Sequence, residues 1–229
     1  MSDAERPDPR TLRIADLLGE VRVVRPERAP ARPRASVVVD AGGGPVAELE
    51  KTLGDLLGQT STDLEIVVVD DGPCEELSRL LENLLVRDDR LVRIHHDRSL
   101  GLPAVRFNLG IEAARGRWIA FLSPGARWEP TTLDSLLAAG ERAGGPCLVV
   151  ARTLGGGGEP GPTGSPPLPV STLTLTFRNP VGRTGALVER SLLERHGVFD
   201  GHISLARLFD WDLWLRLAQR APLAVLEEC

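Results

Sequence analysis

The chain predicts an α/β fold, an α/β/α sandwich on a mostly parallel central sheet, over residues 35–229, behind an N-terminal arm and linker of residues 1–34. Three observations lead there. Short apolar runs recur at Ser36–Val39, Leu64–Val69, Leu91–His95 and Arg117–Leu122, as strands buried on both faces require. Between them stand segments whose leucines repeat at helical spacing. Strands alternating with helices imply parallel pairing through right-handed crossovers.

Within the arm, Leu12, Ile14, Leu17 and Leu18 suit a short helix after Thr11, and the stretch from Pro26 to Pro33 reads as linker. The first strand ends at Asp40, ahead of Gly42, Gly43 and Gly44. Val46, Leu49, Leu53, Leu56 and Leu57 then share one helical face. The second strand stops on Asp70, Asp71 and Gly72, where glycine permits the turn. Leu77, Leu80, Leu81, Leu84 and Leu85 mark the next helix. Pro103 suits the first turn of a third, with Phe107, Ile111 and Ala114 inward and Gly116 at its end.

The second half is less regular. Thr131–Arg142 reads as a helix and Cys147–Ala151 as a strand. Gly155–Pro169, rich in Gly and Pro, reads as a mobile loop. Thr172–Thr176 alternates as a half-exposed strand. Ser191–His196 is a short helix closed by Gly197, and Phe209–Gln219 is the last helix. Little sheet closure follows, so the chain reads as part of a longer polypeptide.

Composition narrows the function classes. Net charge is −5, the arm carrying +2 from eight Arg and six acids and the remainder −7, so no nucleic-acid footprint is present. Cys74, Cys147 and Cys229 lack metal-ligand spacing or a disulfide framework, which fits a reducing cytoplasm. No run reaches the ~20 apolar residues of a membrane span.

Asp70 and Asp71 stand at the carboxyl end of an interior strand, the edge beyond which open α/β sheets bind ligands. The plainer reading makes one an acceptor in the turn and the other a helix cap. Gly42-x-Gly44-x-x-Ala47 follows a strand and opens a helix, the order of a dinucleotide site, but Pro45 lies inside the turn and the last glycine is replaced. His95 and His96 lack partner spacing and read as structural, and Trp128 is a candidate for stacking on a sugar.

Taken in order, SVVVDAGGG, LEIVVVDDG, GLPAVRFNLGIEAARGRWIAFLSPG and GVFDGHISLARLFDWDLWLRL resemble the family 2 glycosyltransferases, of the GT-A nucleotide-sugar-binding fold, over about residues 35–220. The resemblance implies an inverting transfer of sugar from a nucleotide-sugar donor to an acceptor hydroxyl. Asp40, Asp70, Asp71 and Arg106 would line the nucleotide, and Asp210 would be the general base. Arg106 is one residue out of the family's Arg-Asn register, since Phe107 separates it from Asn108. Asp212 has Arg216 four residues on and reads as an ion pair, leaving Asp210 as the single base or, alternatively, a helix-dipole acid.

The departures are as telling. The family ends its fourth strand with an Asp-x-Asp segment that holds a divalent metal on the donor diphosphate; here Leu122–Ala126 has no carboxylate. Hard cations want oxygen ligands, and Ser123 alone cannot hold one. No metal cofactor is therefore expected, and Ser123, Arg127 and Arg183 are the candidates for the diphosphate, arginine offering a bidentate fork. A degenerate domain that binds a nucleotide or a partner without catalysis is the alternative, and the dinucleotide reading ranks below both.

Overall fold

The computed structural model describes residues 21–99, 101–151, 170–202, 205 and 207–226. The helix after Thr11, the loop 155–169 and Cys229 fall outside them.

Among the described residues, eight strands form one sheet. They are β1 (Val21–Val24), β2 (Ala35–Asp40), β3 (Leu64–Val69), β4 (Leu91–His96), β5 (Trp118–Leu122), β6 (Leu148–Ala151), β7 (Ala186–Glu189) and β8 (Leu223–Leu226), in the order β1-β4-β3-β2-β5-β7-β6-β8. The four expected strands are its parallel centre: Val39 pairs with Val68 and Leu122, and Val69 with Ile94. Antiparallel pairings flank it, β1 on β4 and β7 on β5.

The side-chain period of two divides the core. Val38, Val67, Val69, Val92 and Ile94 face one hydrophobic layer, and Val37, Val39, Ile66, Val68 and Leu91 the other. The first layer is closed by α3 (Pro103–Ala113), α5 (Thr172–Phe177), α6 (Arg190–His196) and α7 (Phe209–Ala218). The second is closed by α1 (Val46–Leu57), α2 (Glu75–Leu85) and α4 (Thr132–Arg142). Every residue of β2 and β3 is buried, and each such aliphatic side chain contributes about 1.5–3 kcal/mol.

α3 approaches the sheet so closely that a Cβ on Gly110 would stand 2.1 Å from Val38 Cγ1. Gly110→Ala is expected to cost about 1–3 kcal/mol by overpacking, despite alanine's better helix propensity. An unchanged midpoint in urea denaturation would contradict this packing.

Three expectations are corrected. Residues 21–34 are not only linker: β1 extends the sheet, and Arg25 pairs with the buried Glu65 and donates 2.7 Å to the Ala113 carbonyl. Glu65 is further held by the Ser36 hydroxyl at 2.6 Å and the Arg115 amide at 2.9 Å. Thr172–Phe177 is a helix, not a strand, because Ser171 accepts from the Thr174 amide as its N-cap and only Leu175 is buried. The four-residue strand β8 joins the sheet after the last helix, where little closure was expected, and β7 stands between β5 and β6.

Candidate active site

The parallel strands β2, β3, β4 and β5 end at one edge, and the antiparallel β7 begins there. Residues just after the former and just before the latter therefore share a rim. Adjacent strands lie about 4.8 Å apart, so the rim from β3 to β7, three steps, runs roughly 14 Å.

Asp40, at the end of β2, is 1% exposed. Its Oδ1 accepts from the Gly42 amide at 2.9 Å and from Arg106 Nε at 2.5 Å, and Oδ2 accepts from Arg106 Nη2 at 3.2 Å. Arg106 is itself buried on α3, and its Nη1 lies 2.9 Å from Asp71 Oδ1, an ion-pair contact without hydrogen-bond alignment. A Cβ on Gly42 would come within 2.4 Å of Asp71 Cβ and 2.8 Å of Arg106 Cζ, so this turn admits only glycine. Asp40, Asp71 and Arg106, expected together, are brought together, and they first satisfy one another. Asp71 keeps a partly exposed side chain.

Asp70 points the other way, into the sheet's second layer. Its Oδ2 accepts from Arg93 Nη2 at 2.7 Å and from His95 Nδ1 at 2.9 Å, and Oδ1 is buried without a partner. Asp70, expected to contact the nucleoside, anchors this buried charge cluster. His96 bridges the Asp70 and Arg98 carbonyls, and Gly72, at φ 87°, takes a turn in which a Cβ would meet the Ser99 amide nitrogen at 2.8 Å. Arg93 and His95 were missed as site residues. Their signal was a charged residue inside an apolar strand with a histidine two positions on, facing the same way.

Ser123 follows β5 beside the Asp40 turn, where an added Cβ on Gly43 would lie 3.7 Å from Asp40 Oδ2 and 3.9 Å from Ser123 Cβ. Arg127, a diphosphate candidate, is drawn instead to Asp55 of α1, with bonds of 2.6 and 3.0 Å that hold the Asp55 carboxyl below its ordinary range. Trp128 is buried and donates to the Thr184 carbonyl at 2.9 Å, so its ring is not presented for stacking.

Arg183 stands in the 3-10 turn Arg183–Gly185 that leads into β7. Its guanidinium lies 5.1 Å above the Phe209 ring and 5.8 Å from that of Phe107. No carboxylate among the described residues is within ion-pair distance of it. Phe107, Phe121, Phe199, Phe209 and Trp214 interlock beneath, and Asn108 fixes the approach to α7 by bonding both the Phe199 carbonyl (2.8 Å) and amide (3.1 Å).

Asp210 lies in the first turn of α7, half-buried, with Oδ1 accepting from the Trp211 amide at 2.8 Å. Burial pushes its carboxyl above the ordinary range, and the charge of Arg183 draws it part of the way back. Asp212 pairs with Arg216 at 2.8 Å, as their spacing implied. Asp210 is therefore a carboxylate aligned by the helix, desolvated, and beside a cation that makes no ion pair with it.

The family model for glycosyl transferase family 2 matches residues 36–188. The uncharacterized glycosyltransferase EpsJ of Bacillus subtilis strain 168 is 39% identical over 74 residues, 32% of this chain and 21% of EpsJ. The structure of S. aureus TarS 1-349 in complex with UDP matches with a TM-score of 0.68 at 19% identity, covering 86% of this chain and 58% of that one. Mannosyltransferase PcManGT from Pyrobaculum calidifontis, in complex with GDP-Man and Mn²⁺, matches at 0.60 and 19% identity with the same coverage. These structures share the GT-A fold with this chain. The chain spans about a fifth of its curated relative's length and a little over half of the two solved chains.

Proposed function

This chain belongs to glycosyl transferase family 2, and from that premise we propose that it moves a sugar from a nucleotide-sugar donor to an acceptor hydroxyl with inversion. The observation that carries the reading is Asp210, desolvated and half-exposed at the head of α7, with Arg183 beside it at the same rim as Asp71 and Ser123. Asp71 is assigned to the nucleoside, with Asp40 and Arg106 holding the turn beneath it and Asp70 anchoring Arg93 and His95 behind it. The diphosphate extends along the rim past Ser123.

Asp210 takes the proton of the acceptor hydroxyl as that oxygen bonds to the anomeric carbon. The bond from that carbon to the diphosphate breaks on the opposite face, and the electron pair leaves with the nucleotide. Deprotonated Asp210 is required, so the rate rises with pH through a pKa above the ordinary carboxylate value. The acceptor is a glycan, a lipid-linked glycan or a small hydroxyl compound.

A non-catalytic binding module is the second reading, favoured by the mutual satisfaction of Asp40 and Arg106 and by the absence of carboxylates over Ser123–Ala126. Thermal unfolding with UDP, GDP and their sugars, followed by donor-hydrolysis assay, separates the two. A ligand at a hundred times its Kd adds about 2.7 kcal/mol, roughly 5–10 °C at this size. A shift with turnover supports the enzyme, a shift without turnover supports a nucleotide-binding module, and no shift with any nucleotide overturns the enzyme and favours a partner-binding module.

A further inference from the structure

We propose that Arg183 binds the donor's diphosphate in the place where the fold family uses a divalent cation, and that this rim does not take up such a cation. The inference rests on the donor reading above and adds how its phosphate charge is neutralised.

The register of the sheet puts Arg183 there. β7 runs antiparallel to β5 with Ala120 opposite Leu187, so the turn preceding β7 lies against the segment following Leu122. The bond from Trp128 Nε1 to the Thr184 carbonyl ties the same turn to that segment. Arg183 thus enters beside Ser123–Ala126, the stretch that would otherwise carry the metal-binding acids, and on the side of the rim where Asp210 stands.

The oxygen atoms present do not fit a divalent cation. Such an ion takes six or more oxygen ligands at about 2.0–2.6 Å, usually including carboxylates. The segment offers the Ser123 hydroxyl. Both oxygens of Asp40 are engaged by Arg106, and Asp210 Oδ1 is engaged by the Trp211 amide. Among the described residues no group of three His, Cys, Asp or Glu is placed to hold a metal. A guanidinium at the same spot would also repel one.

The same spot does fit an anion. Arg183 has one face desolvated by Phe107 and Phe209, and no carboxylate among the described residues pairs with it. Its N–H fork matches two phosphate oxygens, and stacking on aromatic rings holds the planar group ready without an ion-pair partner to displace. Arg127, by contrast, would have to surrender Asp55.

The test is calorimetry on the full chain with UDP, GDP and uridine in EDTA, then with Mn²⁺, for the wild type, Arg183→Gln, Arg183→Lys and Arg127→Gln. The tighter of the two diphosphates serves for the variants. Arg183→Gln is expected to weaken it about 10- to 100-fold, the loss of charge-assisted hydrogen bonds, while uridine affinity stays within twofold. Arg183→Lys should recover part of the loss, Arg127→Gln should match the wild type, and Mn²⁺ should leave the wild-type affinity unchanged. A melting temperature equal to wild type shows that Arg183→Gln folds. Diphosphate binding that ignores Arg183, or that Mn²⁺ tightens tenfold, overturns this inference alone. Failure of uridine and both diphosphates to bind overturns the donor reading, and this inference with it.

Discussion

Asp210→Asn is expected to lower the transfer rate by about 10²–10⁴-fold, the range for removing a general base, while raising the melting temperature at neutral pH. The two effects have one origin. Burial lifts the Asp210 carboxyl above its ordinary pKa, and Arg183 only partly offsets this. A carboxyl raised in the folded state binds its proton more tightly there than in the unfolded chain. Its contribution to stability is complete below the unfolded value, about 3.9, and is lost as pH rises through the folded value. At pH 7 the charged group is therefore carried at a cost that asparagine avoids. Melting curves from pH 4 to 8 should show the stability difference between wild type and variant widening as pH rises. A variant that keeps its turnover would remove Asp210 from the role of base, and one that loses stability at pH 7 would contradict the raised carboxyl.

The second large effect is on folding. Arg106→Met leaves the Asp40 carboxylate buried without its cation and Asp71 without its neighbour, and should cost about 3–5 kcal/mol in urea denaturation. Adding Asp40→Asn keeps an acceptor for the Gly42 amide and removes the stranded charge, so the double variant should regain much of the loss. If the two substitutions simply add, the pair is not the coupled unit that its 2.5 Å bond suggests.

The four central strands and the acids at their ends were legible in the sequence because a fully buried strand leaves an uninterrupted apolar run. β7 and β8 were not: each is four residues, and β7 runs directly into the helix Arg190–His196 with no turn to set it apart. Thr172–Phe177 misled because Leu alternating with β-branched Thr copies a strand, while the deciding contacts are distant: Trp211 Nε1 donates to the Leu175 carbonyl at 2.6 Å and the Thr172 hydroxyl to that of Ala218 at 3.2 Å. At the rim, residue types were readable but partners were not. Asp70 goes to Arg93, Asp40 to Arg106 and Arg127 to Asp55, choices made by strand parity and helix packing across as many as 72 positions of chain. Arg183 stood out by type, and among the described residues no carboxylate pairs with it.

The pairing of β1 with β4 also bears on the order of biosynthesis. Val21 lies opposite His96, so this strand leaves the ribosome long before the edge it joins. At about 5–20 residues per second the wait is on the order of ten seconds, and Arg25 must spend it apart from Glu65. The first of the described strands to be made is thus seated only once β4 has followed β2 and β3 out, and it is already at hand to cover the outer edge of β4. Until then it is β1 that stays open to strands of neighbouring nascent chains. A nascent chain stalled before β4 emerges should hold β1 in its most adhesive form.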